Sequence, residues 1–352
     1  MERDTFSEKL IKWYCPNKRD LPWRNTQDPY RIWLSEIILQ QTRVAQGLPY
    51  YEKFVEQYPT IQALAAADEK DVLRLWQGLG YYSRARNMHQ TAKIIITDFD
   101  GIFPNTYDGL LKLKGIGPYT AAAIASFAFN EKVAVVDGNV YRVLARVFGI
   151  ETDISSHEAK KVFGNLANTL ISDSSPNTYN QAIMEFGAMY CVPSNPACMF
   201  CVFHYDCAAN ATGKQTSLPV KSKKVKVKNR FLNYFVIEKN NQFLMRQRDG
   251  GDIWSGLCDF YLLESKEKTI ELDEIEDTFL QQVLSKSIVK AVSENFKHIL
   301  THQRIEAKFW HIILNDELLL PEKYHFYTVE EIENLPKPIL IEKYFKGLKF
   351  LP

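Results

Sequence analysis

No stretch of this 352-residue chain is long and apolar enough to span a bilayer. The longest apolar run, near 121–129, falls well short of the roughly 20 residues a membrane helix needs. An excess of one charge is missing too. Lys and Arg number 43 against 42 Asp and Glu, a net +1, and residues 1–210 are equally balanced. Bulk charge therefore recruits no particular partner, and any contact with nucleic acid must come from a local surface. The opening Met1-Glu2-Arg3-Asp4 is charged with no apolar stretch behind it, which is not the pattern of a secretory leader. Internal repeats are absent, and 46% apolar residues leave no compositional case for wholesale disorder. These absences, with the chain length, predict a cytoplasmic, non-membrane protein of two domains, or of two with a small third one.

Cysteine is scarce, with six in all, yet four fall together as Cys191-x6-Cys198-x2-Cys201-x5-Cys207. In a reducing compartment such a group reads as a metal centre before it reads as disulfides. Zinc sites usually show two CxxC pairs, or one with histidines. A single CxxC with an outlying cysteine on each side favours a [4Fe–4S] cluster, while His204 inside the loop keeps zinc as the alternative. Cys15 and Cys258 are isolated and are expected to be half-buried thiols.

Apolar residues recur at helical spacing over 30–45, 69–77, 105–113, 118–129, 139–148 and 158–171. Turn signals separate them at Asp28-Pro29, Gly78-Leu79-Gly80, Gly115-Ile116-Gly117-Pro118 and Asp137-Gly138. Residues 1–210 thus read as a helical region closed by the cysteine loop, 191–207. Residues 211–229 read as a linker, and Lys221–Arg230 holds six basic residues and no acidic one. Its plainest meaning is a solvated connection running into a first strand, with phosphate contact as the weaker alternative. Beyond it the texture changes. Phe231–Glu238 and Gln242–Gln247 suggest a hairpin turning at Asn240-Asn241, 259–264 and 307–314 look extended, and 279–291 looks helical. Residues 230–352 are predicted to be a separate α/β domain.

Asp28 and Pro29 suit the start of a helix carrying Glu36 beside Trp33, Ile37 and Ile38. A desolvated Glu has a raised pKa and can serve as a general acid. The alternative is an exposed Glu paired with Arg31 or Arg43. Gln40, Gln41 and Thr42 follow, uncharged polar residues able to bond base edges or wedge into a stack. Leu113-Lys114-Gly115-Ile116-Gly117-Pro118 lies between helices, the first capped by Asn105. Its glycines can aim backbone N–H groups at a phosphate, the alternative being a tight interhelical turn with no ligand; the pattern resembles a helix-hairpin-helix motif spanning about 105–129. Asp137 sits where an apolar stretch meets a helix start, a common N-cap position. The helix N-terminus is expected to lower its pKa and keep it ionised. One protonated and one ionised carboxyl suit cleavage through an oxocarbenium ion, as in loss of a base from deoxyribose.

These segments, with Val136-Asp137-Gly138-Asn139-Val140, together resemble the endonuclease III superfamily of helix-hairpin-helix DNA glycosylases with a [4Fe–4S] cluster. Asp20-Leu21-Pro22-Trp23-Arg24, Ser35-Glu36 through Arg43-Val44, and Gly78-Leu79-Gly80-Tyr81-Tyr82-Ser83 resemble its adenine DNA glycosylase (MutY) branch. That resemblance implies removal of adenine mispaired with 8-oxoguanine or guanine in double-stranded DNA, by an intracellular monomer. It implies that Glu36 protonates the base, Asp137 stabilises the cation, and Tyr119 and Asn139 position them. It places Arg24, Trp23 and Leu21 in an adenine pocket. Gln41, Thr42, Tyr81, Ser83, Gly115 and Gly117 would contact DNA, and Cys191, Cys198, Cys201 and Cys207 would hold the cluster. Lyase members carry a lysine where this chain has Tyr119, so a monofunctional hydrolase is expected. The alternatives are an oxidised-pyrimidine glycosylase/lyase of the endonuclease III type and a non-catalytic DNA-binding protein.

Trp254-Ser255-Gly256-Leu257-Cys258-Asp259-Phe260 resembles a strand region of Nudix domains, but the Glu-rich magnesium helix of Nudix hydrolases is missing. The resemblance implies a Nudix-like domain that recognises 8-oxoguanine through Thr301 and His302. Phe296-Lys297-His298-Ile299-Leu300-Thr301-His302 departs from that pattern at Leu300, which replaces an aromatic, and at Thr301, which replaces a serine. The alternative is that His298 and His302 are strand-edge histidines without a ligand.

Overall fold

A computed structural model describes residues 3–222, 226–268 and 270–348. Met1 and Glu2 at the chain start, and Lys223, Lys224 and Val225 of the basic linker, lie outside the described residues. The chain divides into two compact units. One comprises Met1–Ala66 and Asn87–Lys223, the other Ala67–Arg86 and Lys224–Pro352.

The first unit is helical. Asp28 accepts a hydrogen bond from the Tyr30 N–H, and Pro29 opens the Pro29–Leu39 helix. Tyr30, Ile32–Ile38 and Glu36 among them are buried, so this helix is covered nearly all round and runs through the unit's interior. It stops at Leu39, and a new helix begins at Val44. The continuous helix expected over 30–45 is therefore broken, because Gln41 adopts a left-handed backbone with φ 56°. The Pro118–Phe129 helix packs against Pro29–Leu39 through small buried residues, Thr120 to Ala123 among them. The segment expected to be helical over 105–113 forms one turn, Tyr107–Leu110. Its cap is Thr106, whose hydroxyl accepts from Gly109, and not Asn105. Asp137 caps the Gly138–Phe148 helix as expected, accepting from the Val140 N–H.

A core of Phe6, Tyr179, Phe186 and Phe203 joins the Arg3–Asn17 and Pro176–Met189 helices to the cysteine loop. Phe203 belongs to that loop, stacks on Phe6 at 4.9 Å and meets Phe186 edge-on at 5.5 Å. Burial of its ring anchors a segment that has little secondary structure of its own.

The second unit is built on a mixed sheet of β1 (Lys228–Lys239), β2 (Gln242–Gln247), β3 (Cys258–Ser265), β4 (Ser287–Val292), β5 (Phe296–Ile299), β6 (Gln303–Leu314) and β7 (Tyr324–Thr328). The order is β4-β6-β1-β3-β2-β7, with β5 also paired to β6. Strand β1 is central. It runs parallel to β6 from Lys228↔Gln303 to Glu238↔Ile313 and antiparallel to β3. Its run Leu232–Ile237 is buried on both faces, and it is apolar save for Asn233, whose side chain bonds Ser265 and Trp310. The β1–β2 hairpin turns at Asn240 and Asn241, both left-handed, as their sequence predicts. Helix Thr278–Ser285 covers one face with Leu280 and Val283. Tyr344 of the Ile339–Leu348 helix stacks on Phe309 at 4.0 Å on β6, whose next residue, Trp310, joins the core under Thr278–Ser285. The helix expected over 279–291 ends at Ser285, and Ser287–Val292 is instead edge strand β4, rich in β-branched residues.

Residues 67–86 belong to this second unit. Leu73 lies against Gly256, the Gln77 side chain accepts from the Lys337 N–H at 3.1 Å, and Arg86 bonds the Ser255 carbonyl.

Candidate active site

Glu36 is 8% exposed and accepts a hydrogen bond from the Tyr119 hydroxyl. Burial pushes its carboxyl up to about 7, and the nearby Asp137 charge adds to the rise. Tyr119 and Arg24 oppose it. The exposed, Arg-paired Glu considered from sequence is not what the fold builds. Tyr119 is itself driven well above its ordinary value by burial, so its phenol stays neutral and remains a donor.

Asp137 accepts from the Val140 N–H at 2.7 Å and from the Asn139 side-chain amide at 2.8 Å. Those bonds lower its pKa, as the helix N-terminus was expected to do. Burial outweighs them, and the net direction is upward. The expectation of a lowered value is corrected on that ground. The Asp137 charge is one of the influences raising Glu36.

These groups line a cavity of about 200 Å³ with Leu21, Trp23 and Arg24. A wider opening that shares Glu36, Tyr119 and Asp137 is lined by Gln41, Gly115 and Gly117. Most of the residues expected to act in the helical half are thus gathered at one place. Thr42 lines the narrower cavity, its hydroxyl on the Gln40 carbonyl at 3.3 Å. Gly115 has φ 75°, and a Cβ there would meet Asn87 Cβ at 2.9 Å, so the turn tolerates no side chain.

Glu185 went unnoticed in the sequence and lies in this cavity. It is fully buried and accepts from Arg24 at 2.7 and 3.0 Å and from Arg19 at 2.5 and 2.8 Å. Burial alone would raise its carboxyl, but the two guanidiniums hold it down at about 2. Arg24 is therefore an ion-pair partner whose guanidinium is fixed at the cavity wall. The sequence offered no signal for it, because Glu185 lies about 160 positions from both arginines.

Asn139 leads onward. Its carbonyl oxygen accepts from Arg142 at 2.8 Å, and Arg142 also donates to the Gly187 and Cys191 carbonyls at 2.7 and 2.8 Å. A Cβ on Gly187 would lie 2.7 Å from Asn139 Cβ, so only glycine admits this approach. The chain of bonds ends at the cysteine loop. Cys191, Cys198, Cys201 and Cys207 line one small cavity. Arg146 lies 3.4 Å from the Cys191 sulfur, and the Phe203 N–H donates to Cys201. Burial raises the Cys201 thiol to about 11 and lifts Cys198 and Cys207 as well. Four cysteines lining one cavity, with N–H donors at two of the sulfurs, are the donor chemistry of a thiolate-ligated group. Among the described residues, no three His, Cys, Asp or Glu side chains are grouped as a single ion would need. His204 Nδ1 sits 2.8 Å from the Cys198 carbonyl, within the loop's own bonding. Of the other two cysteines, Cys15 is exposed and Cys258 buried, so neither is half-buried as expected.

In the second unit, Leu300 N–H donates to the Gln303 carbonyl at 2.8 Å, placing Thr301 and His302 at the tip of the β5–β6 hairpin. Tyr81, left-handed at φ 48° and 41% exposed, meets both. Its hydroxyl is 2.9 Å from that of Thr301, and its ring is edge-on to His302 at 6.4 Å. Tyr81, Ser83, Trp254, His298, Leu300 and His302 line a cavity of about 290 Å³. His298 is partly buried beside Trp254 at 6.0 Å and is not a bare edge residue.

Residues 34–168 match the HhH-GPD superfamily of base excision DNA repair proteins, and residues 233–347 match the NUDIX domain. The chain is 34% identical over 271 residues to the adenine DNA glycosylase of Buchnera aphidicola subsp. Acyrthosiphon pisum, covering 77% of each. It is 33% identical over 312 residues to that of Buchnera aphidicola subsp. Baizongia pistaciae, covering 88% of this chain and 86% of the relative. Among solved structures, a thermostable thymine-DNA glycosylase aligns with TM-score 0.56 and 30% identity, over 60% of this chain and 97% of that one.

Proposed function

The chain belongs to the adenine DNA glycosylase family, and from that premise we propose that it hydrolyses the N-glycosidic bond of adenine lying opposite 8-oxoguanine or guanine in duplex DNA. The observation that carries this reading is the buried Glu36, held near pKa 7 beside Asp137 and bonded to Tyr119. With the nucleotide flipped into the cavity, Glu36 gives its proton to a ring nitrogen of adenine. The C1′–N bond breaks with its electron pair leaving on the base, and positive charge develops at C1′. Asp137, oriented by Asn139 and the Val140 N–H, stabilises that charge. Water then adds at C1′ and loses a proton, leaving an abasic site. The Arg24–Glu185 pair and Trp23 form the walls that hold the base. Tyr119 offers no amine for a Schiff base, so the backbone stays uncut.

Cys191, Cys198, Cys201 and Cys207 would hold a [4Fe–4S] cluster. That group would supply a rigid cross-link to a loop with few backbone bonds. Gln41, Gly115 and Gly117 would meet the DNA backbone and stack at the mouth of the cavity, with Tyr81, Ser83, Thr301 and His302 reading the opposite base.

The test uses duplexes carrying adenine opposite 8-oxoguanine, followed by alkali. Strand breakage only after alkali is expected. No breakage after alkali would end the reading, and breakage without alkali would replace it with a lyase.

A further inference from the structure

Arg230 lies on β1, 8% exposed, and does not line the cavity of the second unit. Its guanidinium makes five hydrogen bonds to three residues. Two go to Glu264, at 2.9 and 2.6 Å. Two go to Asp252, at 2.9 and 3.3 Å, and one reaches the Gln303 side-chain oxygen at 3.2 Å. These partners have different origins. Glu264 is on β3 of the sheet. Asp252 belongs to the loop that follows β2, and it also accepts from the Ile253 N–H at 2.7 Å and pairs with Arg248. Gln303 closes the β5–β6 hairpin just after Thr301 and His302, and the Lys228 N–H bonds the His302 carbonyl at 2.9 Å.

The two loops tied by Arg230 are opposite walls of one cavity. Asp252, Ile253 and Trp254 form one side, and Leu300, His302 and Gln303 the other. The hairpin wall is fixed to the sheet, since Gln303 begins β6 and the Lys228 N–H bonds the His302 carbonyl; the Asp252 wall is a loop, and Arg230 supplies side-chain bonds that tie it to the hairpin end. A guanidinium presents five donors in a fixed plane, which makes it a rigid spacer between acceptors. Glu264 supplies the anchor to the sheet.

We infer that Arg230 is a positioning residue for recognition of the base opposite adenine: by tying the Asp252 loop and the Gln303 end of the hairpin to β3, it holds in place the hairpin tip that carries Thr301 and His302. The inference rests on the proposed role of Thr301 and His302. Arg230 touches no DNA in this scheme and leaves the Glu36–Asp137 chemistry untouched.

The experiment compares single-turnover rates of adenine release opposite 8-oxoguanine and opposite guanine, in the full-length protein. Arg230→Lys keeps the charge, but one ammonium cannot span all three partners. The ratio of the two rates should fall about tenfold, the scale of one charge-assisted hydrogen bond. The rate opposite guanine should stay within about twofold of the parent. Backbone amides in 250–254 and 300–303 should exchange faster, with those at the centre of β1 unchanged. Should Arg230→Lys fail to fold, Gln303→Leu cuts one tie on a half-buried residue, and Gln303→Glu restores an acceptor. The first should lower the ratio and the second recover it. A folded Arg230→Lys with the parental ratio, both rates falling together, or a Gln303→Leu loss that Glu does not repair would each overturn the inference. A parent protein with no preference between the two mispairs would remove the recognition role of Thr301 and His302 itself, and that is seen before any substitution is made.

Discussion

Replacing Glu36 with Gln should slow base release and, at the same time, stabilise the fold. The stabilisation should grow with pH. The folded-state pKa of Glu36 is about 7 against an ordinary value of 4.5. Below pH 4.5 the carboxyl is protonated whether the chain is folded or not. As pH rises from there, the unfolded chain releases the proton freely while the folded chain retains it, so stability is lost until the folded group also ionises near pH 7. At about 1.4 kcal/mol per pKa unit, the rise from 4.5 to about 7 costs about 3 kcal/mol above pH 7. Glutamine has no proton to lose and can still accept the Tyr119 hydrogen bond. The stability difference between Glu36→Gln and the parent should therefore move in the variant's favour by about 3 kcal/mol between pH 4 and pH 8. Denaturant titrations at both pH values measure it. A difference that is flat with pH, or that moves the other way, would show that Glu36 ionises as an ordinary surface carboxylate and would remove it from the acid role. In the same preparation, single-turnover release of adenine should fall by about 10²-fold or more, the usual contribution of a positioned acid.

Three further outcomes are expected. In the parent, the single-turnover rate should decline above pH 7, because the acid must carry its proton; Tyr119→Phe removes a bond that holds Glu36 down, so the decline should begin at higher pH, and an unshifted profile would contradict the hydrogen bond. Cys201→Ala should cost the protein its iron and its visible absorbance; stoichiometric zinc in the parent would reject the cluster. Glu185→Ala leaves the Arg24 and Arg19 guanidiniums facing each other without their carboxylate, and should destabilise by about 3 kcal/mol, read as an earlier denaturant midpoint; an unchanged midpoint would mean that the pair is not formed in solution.

Much of the helical half is legible in its sequence because local rules dominate there. Asp28-Pro29, Gly117-Pro118 and Asp137-Gly138 each start a helix within a residue of where their chemistry predicts. The apolar neighbours of Glu36 allowed a buried acid and an exposed Glu paired with Arg31 or Arg43 alike, and only the fold buries it. The boundary at Leu39 is not legible either, since Gln41 takes a left-handed conformation that its side chain does not encode. Glu185 was invisible for a different reason: its partners are set by tertiary contact, and a Glu inside Met184-Glu185-Phe186 looks like any amphipathic position. The upward net shift of Asp137 has the same origin, because helix-end electrostatics can be read from sequence and burial cannot. In the sheet domain, Asn240-Asn241 marks its hairpin, whereas 279–291 carries apolar residues at a spacing compatible with helix. Only pairing with β6 decides that its second half is a strand.

The second unit recruits residues 67–86 from the middle of the helical half, and this imposes an order on synthesis. Leu73, fully buried in the finished protein, and Arg86 leave the ribosome long before the segment around Ser255 and Gly256 that receives them. At about 5–20 residues per second, the roughly 170 residues between Arg86 and Ser255 take on the order of 10–30 s to translate. For that interval Val72 and Leu73, the buried residues of the otherwise charged Glu69–Leu75 helix, wait for the segment around Gly256 against which Leu73 lies. A ribosome that stalls within the linker therefore leaves Leu73 without the Gly256 segment that covers it in the finished protein.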